Sequence, residues 1–279
     1  MTSVFKSPEG RQLILEQYDK ILSSFDFKYA ERYVETSYGR TYVLESGTQG
    51  SPPLLLFHGS SSNSASWFAD IRELSKAFRV ISVDLIGDAG HSAETRLDMK
   101  SDHYAVWIRE LFEGLGLEKA SVMGNSLGAW MCLKFASVYP EMVDKIVLIA
   151  ASGIAPVRLS FVLQLILFSL RGKNGSDSIM RMVYGKDEIP REVLDFMKVI
   201  SENYIPYTGE VPVIEDPEMK RINMPLLYLA GEDDRLTNVP KCVKRLNKLL
   251  PDAKVHIIKN NGHVIFDVLD VVVPFLKKS

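Results

Sequence analysis

A serine with glycine two residues to either side, Gly124-Asn125-Ser126-Leu127-Gly128, follows the apolar run Ala120 to Met123 and opens a helical stretch, Leu127 to Val138. A G-x-S-x-G sequence at a strand-to-helix junction is a nucleophile elbow. The turn is so tight that neighbouring chain segments crowd it, and residues without a side chain relieve that crowding. The serine hydroxyl then stands clear of the sheet. The helix N-terminus behind it favours a negative charge developing nearby. A glycine-rich turn with an incidental serine is the bland alternative, but the flanking elements argue against it.

A serine hydroxyl needs a base that works near neutral pH. Five histidines are present: His58, His91, His103, His256 and His263. His91 sits in a polar loop, His103 at a helix start and His256 inside an apolar strand. Only His58, directly after the run Leu54 to Phe57, and His263, in the loop Asn260-Asn261-Gly262-His263, are expected at the same sheet edge as Ser126. His263 is the expected base, and His58 reads as a structural loop residue. An imidazole base also needs a carboxylate to orient it and to stabilise its charged form. Gly231-Glu232-Asp233-Asp234 follows the run Leu226 to Leu229 and supplies three carboxylates in a row. Chemistry alone leaves the choice open, with Asp234 preferred and Asp233 in reserve. The oxyanion of a tetrahedral intermediate needs N–H donors aimed at it. Leu127, the residue after the nucleophile, offers one. The small polar loop His58-Gly59-Ser60-Ser61-Ser62 offers the other, from Ser60 or, as the alternative, Ser61.

The elements that must position these groups are legible as a rhythm. Leu54 to Phe57, Val80 to Val83, Ala120 to Met123, Ile146 to Ile149, Leu226 to Leu229 and Val255 to Ile258 are short, continuously apolar runs, as parallel strands covered on both faces require. Helical stretches lie between them: Trp67 to Phe78, Asp102 to Leu115, Leu127 to Val138 and Pro240 to Leu250, with Val264 to Leu276 closing the chain. Such alternation predicts a mostly parallel sheet with right-handed crossovers. Ahead of it, Tyr33 to Ser37 and Thr41 to Glu45 alternate like an antiparallel hairpin turning at Tyr38-Gly39-Arg40. A first helix starts near Ser7-Pro8 and continues through Leu13, Ile14, Gln17 and Ile21. The rhythm breaks between about Ile154 and Asp216. That interval holds the apolar stretch Leu159 to Leu170, the break Gly172 to Gly175 and a second helical stretch around Arg191 to Ile200. The division expected is therefore a core of residues 1–153 and 217–279 with a helical cap, 154–216, over the carboxyl edge where ligands of open α/β sheets bind.

These landmarks together, His58-Gly59, Asp84-Leu85-Ile86-Gly87-Asp88-Ala89-Gly90-His91-Ser92, Gly124 to Gly128, Gly231 to Asp234 and Gly262-His263, resemble those of the α/β-hydrolase superfamily. The resemblance runs from about Tyr33 to the end. It implies an α/β-hydrolase fold and the chain order serine, acid, histidine. The family's acid stands three residues after the glycine of this loop, which is Asp234 here. The N-terminal helix and the Ile86-Gly87-Asp88 segment resemble bacterial carboxylesterases of the naproxen-esterase type. Where many relatives read D-x-x-G-x-G-x-S, Asp88 replaces a small residue, so the loop is expected to be shaped differently. Fold alone does not supply the substrate.

The expected activity is hydrolysis of a small, moderately hydrophobic carboxylic ester through an acyl-serine intermediate. A thioesterase, an amidase, a carbon–carbon bond hydrolase or a slow-turnover ligand-binding receptor could use the same three residues. The dehalogenases and epoxide hydrolases of this fold attack with aspartate, against Ser126. There is no glycine-rich phosphate loop and no histidine–cysteine cluster with zinc spacing, so no cofactor and no metal are expected. A net charge of −2 gives no field suited to nucleic acid. The stretch Leu159 to Leu170 is too short for a membrane span. It reads first as lining the pocket through Phe161, Val162, Leu165, Ile166 and Phe168, with contact to a partner subunit or to a membrane surface as the alternatives. Two cysteines, Cys132 and Cys242, make no secreted disulfide framework. Without a signal-peptide core, the expected location is cytoplasmic, and the expected partner is a small-molecule ester. A homo-oligomer is left open. Met131 and Cys132 read as core, and Trp130 as core or as a wall of the acyl pocket.

Overall fold

The apolar runs form an eight-stranded sheet, ordered β1-β2-β4-β3-β5-β6-β7-β8. Its strands are β1 (Tyr29–Val34), β2 (Thr41–Ser46), β3 (Pro53–Phe57), β4 (Arg79–Val83), β5 (Ala120–Asn125), β6 (Val143–Ile149), β7 (Leu226–Gly231) and β8 (Lys254–Ile258). β1, β2 and β4 pair antiparallel, and every pairing from β4 through β3 to β8 is parallel. The computed structural model describes residues 3–158 and 191–278. The helices are α1 (Pro8–Ser23), α2 (Phe68–Leu74), α3 (His103–Leu115), α4 (Leu127–Val138), α5 (Arg191–Asn203), α6 (Asp216–Met219), α7 (Val239–Leu249) and α8 (Leu269–Lys277).

Burial follows position in the sheet. Leu54 to Phe57 on β3 and Ile146 to Leu148 on β6 are fully enclosed, as central parallel strands between helical layers must be. One apolar layer joins α3 and α4 to one face of the sheet. The other joins α1, α2 and α8 to the opposite face. α1 begins at an N-cap, with the Ser7 hydroxyl accepting from Gly10 N–H and Pro8 in the first turn. It turns Ile14, Tyr18 and Leu22 inward at intervals of four.

The largest departures from the sequence reading are three boundaries and the covering of one strand. β1 runs from Tyr29 to Val34, and 35–40 are the connection; only Val34 of this edge strand is buried, so its alternation gave a weak register. α2 is shorter, because Asn63 caps a separate 3₁₀ turn, Ser64–Trp67, ahead of it. β8 was expected to be covered on both faces, but it is the last strand of the sheet, and Lys254, His256 and Ile257 are exposed. α8 begins at Leu269 rather than Val264, because 264–268 stay in a loop that carries the left-handed residue Asp267 (φ 56°). Of the interval 154–216, α5 packs on α1. The backbone of Val4 to Lys6 also pairs with Asn203 to Ile205. The stretch Leu159 to Leu170 with its Phe161 and Phe168, and the break at Gly172 to Gly175, lie outside the described residues.

Candidate active site

β5 ends at Asn125 and α4 begins at Leu127, which leaves Ser126 alone at the turn with φ 51° and ψ −107°. That backbone is costly for a non-glycine residue and is held by its surroundings. Ser126 N–H donates to Ile149 O (2.9 Å), and its carbonyl accepts from Trp130 and Ser152 N–H (3.2 Å each). Both glycines of the elbow are required by contact. A Cβ on Gly128 would stand 2.0 Å from Phe57 O, and one on Gly124 would stand 2.3 Å from Gly128 O.

β7 and β8 deliver the other two side chains. His263, on the loop after β8, is 5 % exposed, and its Nε2 lies 3.0 Å from Ser126 Oγ. Its Nδ1 lies 2.9 Å from Asp234 Oδ2. An ionised carboxylate only accepts, so Nδ1 carries the proton and Nε2 is left to accept from the serine hydroxyl. Asp234, on the loop after β7, is fully enclosed. Its Oδ1 accepts from Leu236 and Thr237 N–H (2.8 and 2.9 Å), and its Oδ2 also accepts from the Thr237 hydroxyl (2.5 Å). Burial alone would raise its pKa, but His263 and the Thr237 donors outweigh burial and hold it below the usual value. Glu232 and Asp233 are exposed on the same loop. The three carboxylates are thus separated by burial, which their spacing does not express. Thr237 went unnoticed in the sequence; a hydroxyl three residues past the acid was its only signal.

The structure separates the remaining histidines as well. His58 is fully buried; Leu85 N–H donates to its Nε2 (3.0 Å), so its Nδ1 carries the proton and donates to Gly59 O (2.7 Å). Both ring nitrogens serve the loop's own structure. His91 pairs with Asp19 (2.7 Å), His103 with Tyr38 (2.9 Å), and His256 faces outward on β8. The loop after β3 reaches the nucleophile: a Cβ on Gly59 would lie 3.7 Å from Ser126 Cβ. Ser61 N–H is taken by Asp88 Oδ2 (3.1 Å), which removes Ser61 as an oxyanion donor. Ser60 is exposed, and among the described residues no protein acceptor takes its N–H. Leu127, first residue of α4, has no intrahelical acceptor for its N–H, as at the start of any helix, and among the described residues no other backbone acceptor takes it.

Beneath the site, Asp84 is fully buried and accepts from the Tyr18 hydroxyl (2.9 Å), Ser64 N–H (2.9 Å) and His91 N–H (2.8 Å). Trp130 is core rather than an acyl wall: it is fully buried, and its indole N–H donates to Pro212 O (2.8 Å). Met131 and Cys132 are core as well, and burial pushes the Cys132 thiol well above its ordinary pKa. Cys132 and Cys242 are free thiols. Among the described residues no group of histidine, cysteine, aspartate and glutamate could hold a metal ion, and no helix is long and apolar enough to cross a membrane.

Residues 52–166 match the family model for the alpha/beta hydrolase fold. Carboxylesterase YbfK of Bacillus subtilis is 30 % identical over 94 % of this chain and 90 % of its own length. The chain belongs to the α/β-hydrolase family. The solved structure of that carboxylesterase superposes with a TM-score of 0.79 at 26 % identity, covering 95 % of this chain and 94 % of that one. The naproxen esterase of Bacillus subtilis gives a TM-score of 0.79 at 24 % identity over 98 % and 95 %, a likeness of fold. More distant in sequence is the 2-hydroxy-6-oxo-6-(2'-aminophenyl)hexa-2,4-dienoic acid hydrolase of Metapseudomonas resinovorans, 24 % identical over 90 % of each chain.

Proposed function

We propose that the protein is a carboxylic ester hydrolase that works through an acyl-serine intermediate on a small, moderately hydrophobic ester. The observation that carries this reading is the unbroken hydrogen-bonded series from Ser126 Oγ through His263 to buried Asp234. The carboxylesterase relative, similar along nearly its whole length, supports the ester class. Ser126 Oγ attacks the ester carbonyl as its proton passes to His263 Nε2, and Asp234 stabilises the imidazolium. The oxyanion is met by the N–H groups of Leu127 and Ser60. Collapse expels the alcohol, which takes the proton from His263. Water, deprotonated by the same imidazole, then attacks the acyl carbon, and the acid leaves as Oγ regains its proton. Residues 154–216 are taken as the cover of this edge; the apolar sequence Leu159 to Leu170 supports an uncharged acyl or alcohol group.

A second reading has one observation behind it: the dienoic acid hydrolase relative is named for cleavage of a different substrate class. Purified protein assayed against p-nitrophenyl esters, thioesters, amides and a 2-hydroxy-6-oxohexa-2,4-dienoic acid separates the two. Turnover of esters that Ser126→Ala reduces by at least about 10⁴-fold supports the ester reading. Turnover confined to the oxo-dienoic acid would move the assignment to carbon–carbon cleavage, and near-normal ester turnover in Ser126→Ala would exclude a serine nucleophile.

A further inference from the structure

The turn between β4 and α3 carries a buried carboxylate with no part in the scheme above. Asp88 is 5 % exposed. Its Oδ1 accepts from Ala89 N–H (2.8 Å) and its Oδ2 from Ser61 N–H (3.1 Å), so it joins its own turn to the loop after β3, 27 residues away. Burial raises its pKa, and the hydrogen bonds from the Ala89 and Ser61 amides offset this only in part. A charge kept in that setting costs stability. The turn is also buttressed by side chains. Tyr204, just past α5, donates to Gly87 O (3.1 Å) and accepts from Arg96 (3.0 Å), which also donates to Gly87 O (3.2 Å).

The consequence falls on Ser60. Ser61 is left-handed (φ 57°), a strained conformation for serine, and its amide is turned inward to the Asp88 carboxylate. Gly59 behind it rests near Ser126, and His58 is fixed at both ring nitrogens. With residues 58 and 61 both pinned, the peptide between them has little freedom, and the Ser60 N–H has no acceptor among the described residues, which leaves it for the substrate.

We propose that Asp88 is a positioning residue: by holding Ser61 N–H it aims the Ser60 N–H at the oxyanion formed on the substrate of Ser126. The proposal rests on the acyl-serine reading. A carboxylate oxygen suits this role, being a stronger acceptor for a backbone amide than a neutral oxygen. A donor that is displaced rather than removed should still cost on the order of 10- to 100-fold in rate.

The test compares wild type, Asp88→Ala and Asp88→Asn on p-nitrophenyl acetate and butyrate. It adds the ¹⁵N–¹H spectrum of the Ser60 and Ser61 amides and the rate at which a p-nitrophenyl phosphonate labels Ser126. In Asp88→Ala, kcat should fall about 10- to 100-fold, with KM within about twofold. Phosphonate labelling should slow in parallel, and the Ser61 amide resonance should move upfield and exchange faster. Asp88→Asn keeps one acceptor and sheds the buried charge, so it should show a smaller loss of kcat with Tm held or raised. A merely structural residue would lower Tm and leave kcat of the folded fraction alone. Unchanged kcat in Asp88→Asn with a displaced Ser61 amide, or a rise in KM at constant kcat, would overturn the proposal. Should Asp88→Ala not fold, the asparagine variant and the amide spectrum decide alone. Wild type that turns over no ester would instead remove the reading on which this one rests.

Discussion

Of the three carboxylates after β7, Glu232 and Asp233 face solvent, while Asp234 is enclosed and takes three donors besides His263. An imidazolium formed during turnover gains from a nearby fixed charge only if water does not screen it, and only Asp234 meets that condition. Asp234→Asn should therefore lower kcat by about 10⁴-fold, because an amide cannot both accept from Nδ1 and offset its charge. Asp233→Asn should stay within a few-fold of wild type. Steady-state kinetics on any p-nitrophenyl ester the protein accepts decides it; the reverse ranking would shift the acid by one residue. At this scale the sequence was partly legible. Ser126 and His263 stand out because contiguous spacing and a loop after a strand are local signals. Asp234 needed the family pattern, since adjacent carboxylates look alike until burial separates them. Asp88 to Ser61 was not legible, because the contact spans 27 residues and depends on two loop conformations. The tie from Tyr18 to Asp84 was hidden for the same reason, across 66 residues.

The elements follow the same division. Strands enclosed on both faces, such as β3 and β6, were readable as unbroken apolar runs, and α4 starts and stops where its sequence indicates. Boundaries slipped where tertiary pairing rather than local pattern sets the limit: at the edge strand β1, and where α8 gives up a turn so that the loop carrying His263 can reach Ser126. The elbow is the place where element geometry and chemistry meet. α4 crosses β3 so closely that Gly128→Ala would drive a methyl into Phe57 O, a main-chain atom in the middle of the sheet. Neither element can yield without disturbing Ser126 or the loop after β3. The substitution should cost about 3 kcal/mol or more of stability, seen as a lowered midpoint in urea. The fraction that folds should also lose activity, because any shift of α4 moves the Leu127 N–H. A stable, fully active Gly128→Ala protein would mean that the helix stands further from β3 than the distances here give.

Across the whole molecule, carboxylates of opposite tendency shape stability against pH. Asp234 and Glu45 are held below their ordinary pKa: for each, burial works in the opposite sense, and His263 or Arg79 with its neighbours overcomes it. Their contribution is present above the unfolded carboxylate range and is lost as pH falls through the lower, folded values. Asp70, on α2, behaves in the other sense. Burial and the charge of Asp267, in the loop leading to α8, push its pKa up to about 7, against an opposing backbone hydrogen bond. Between about 4 and 7 the folded state then binds more protons at Asp70 than the unfolded chain does, so this group makes stability fall as pH rises through that window. Asp70→Asn removes the part of the second trend that Asp70 contributes. Its Tm should exceed that of wild type at pH 8, the gap should shrink as pH falls through 7, and the two proteins should converge once Asp70 is protonated in both states, below about pH 4. A set of thermal melts across that range is sufficient. A gap that stays constant with pH would mean that the substitution acts through packing on α2 and not through the charge, and a gap that widens toward acid would reverse the sign assigned to Asp70.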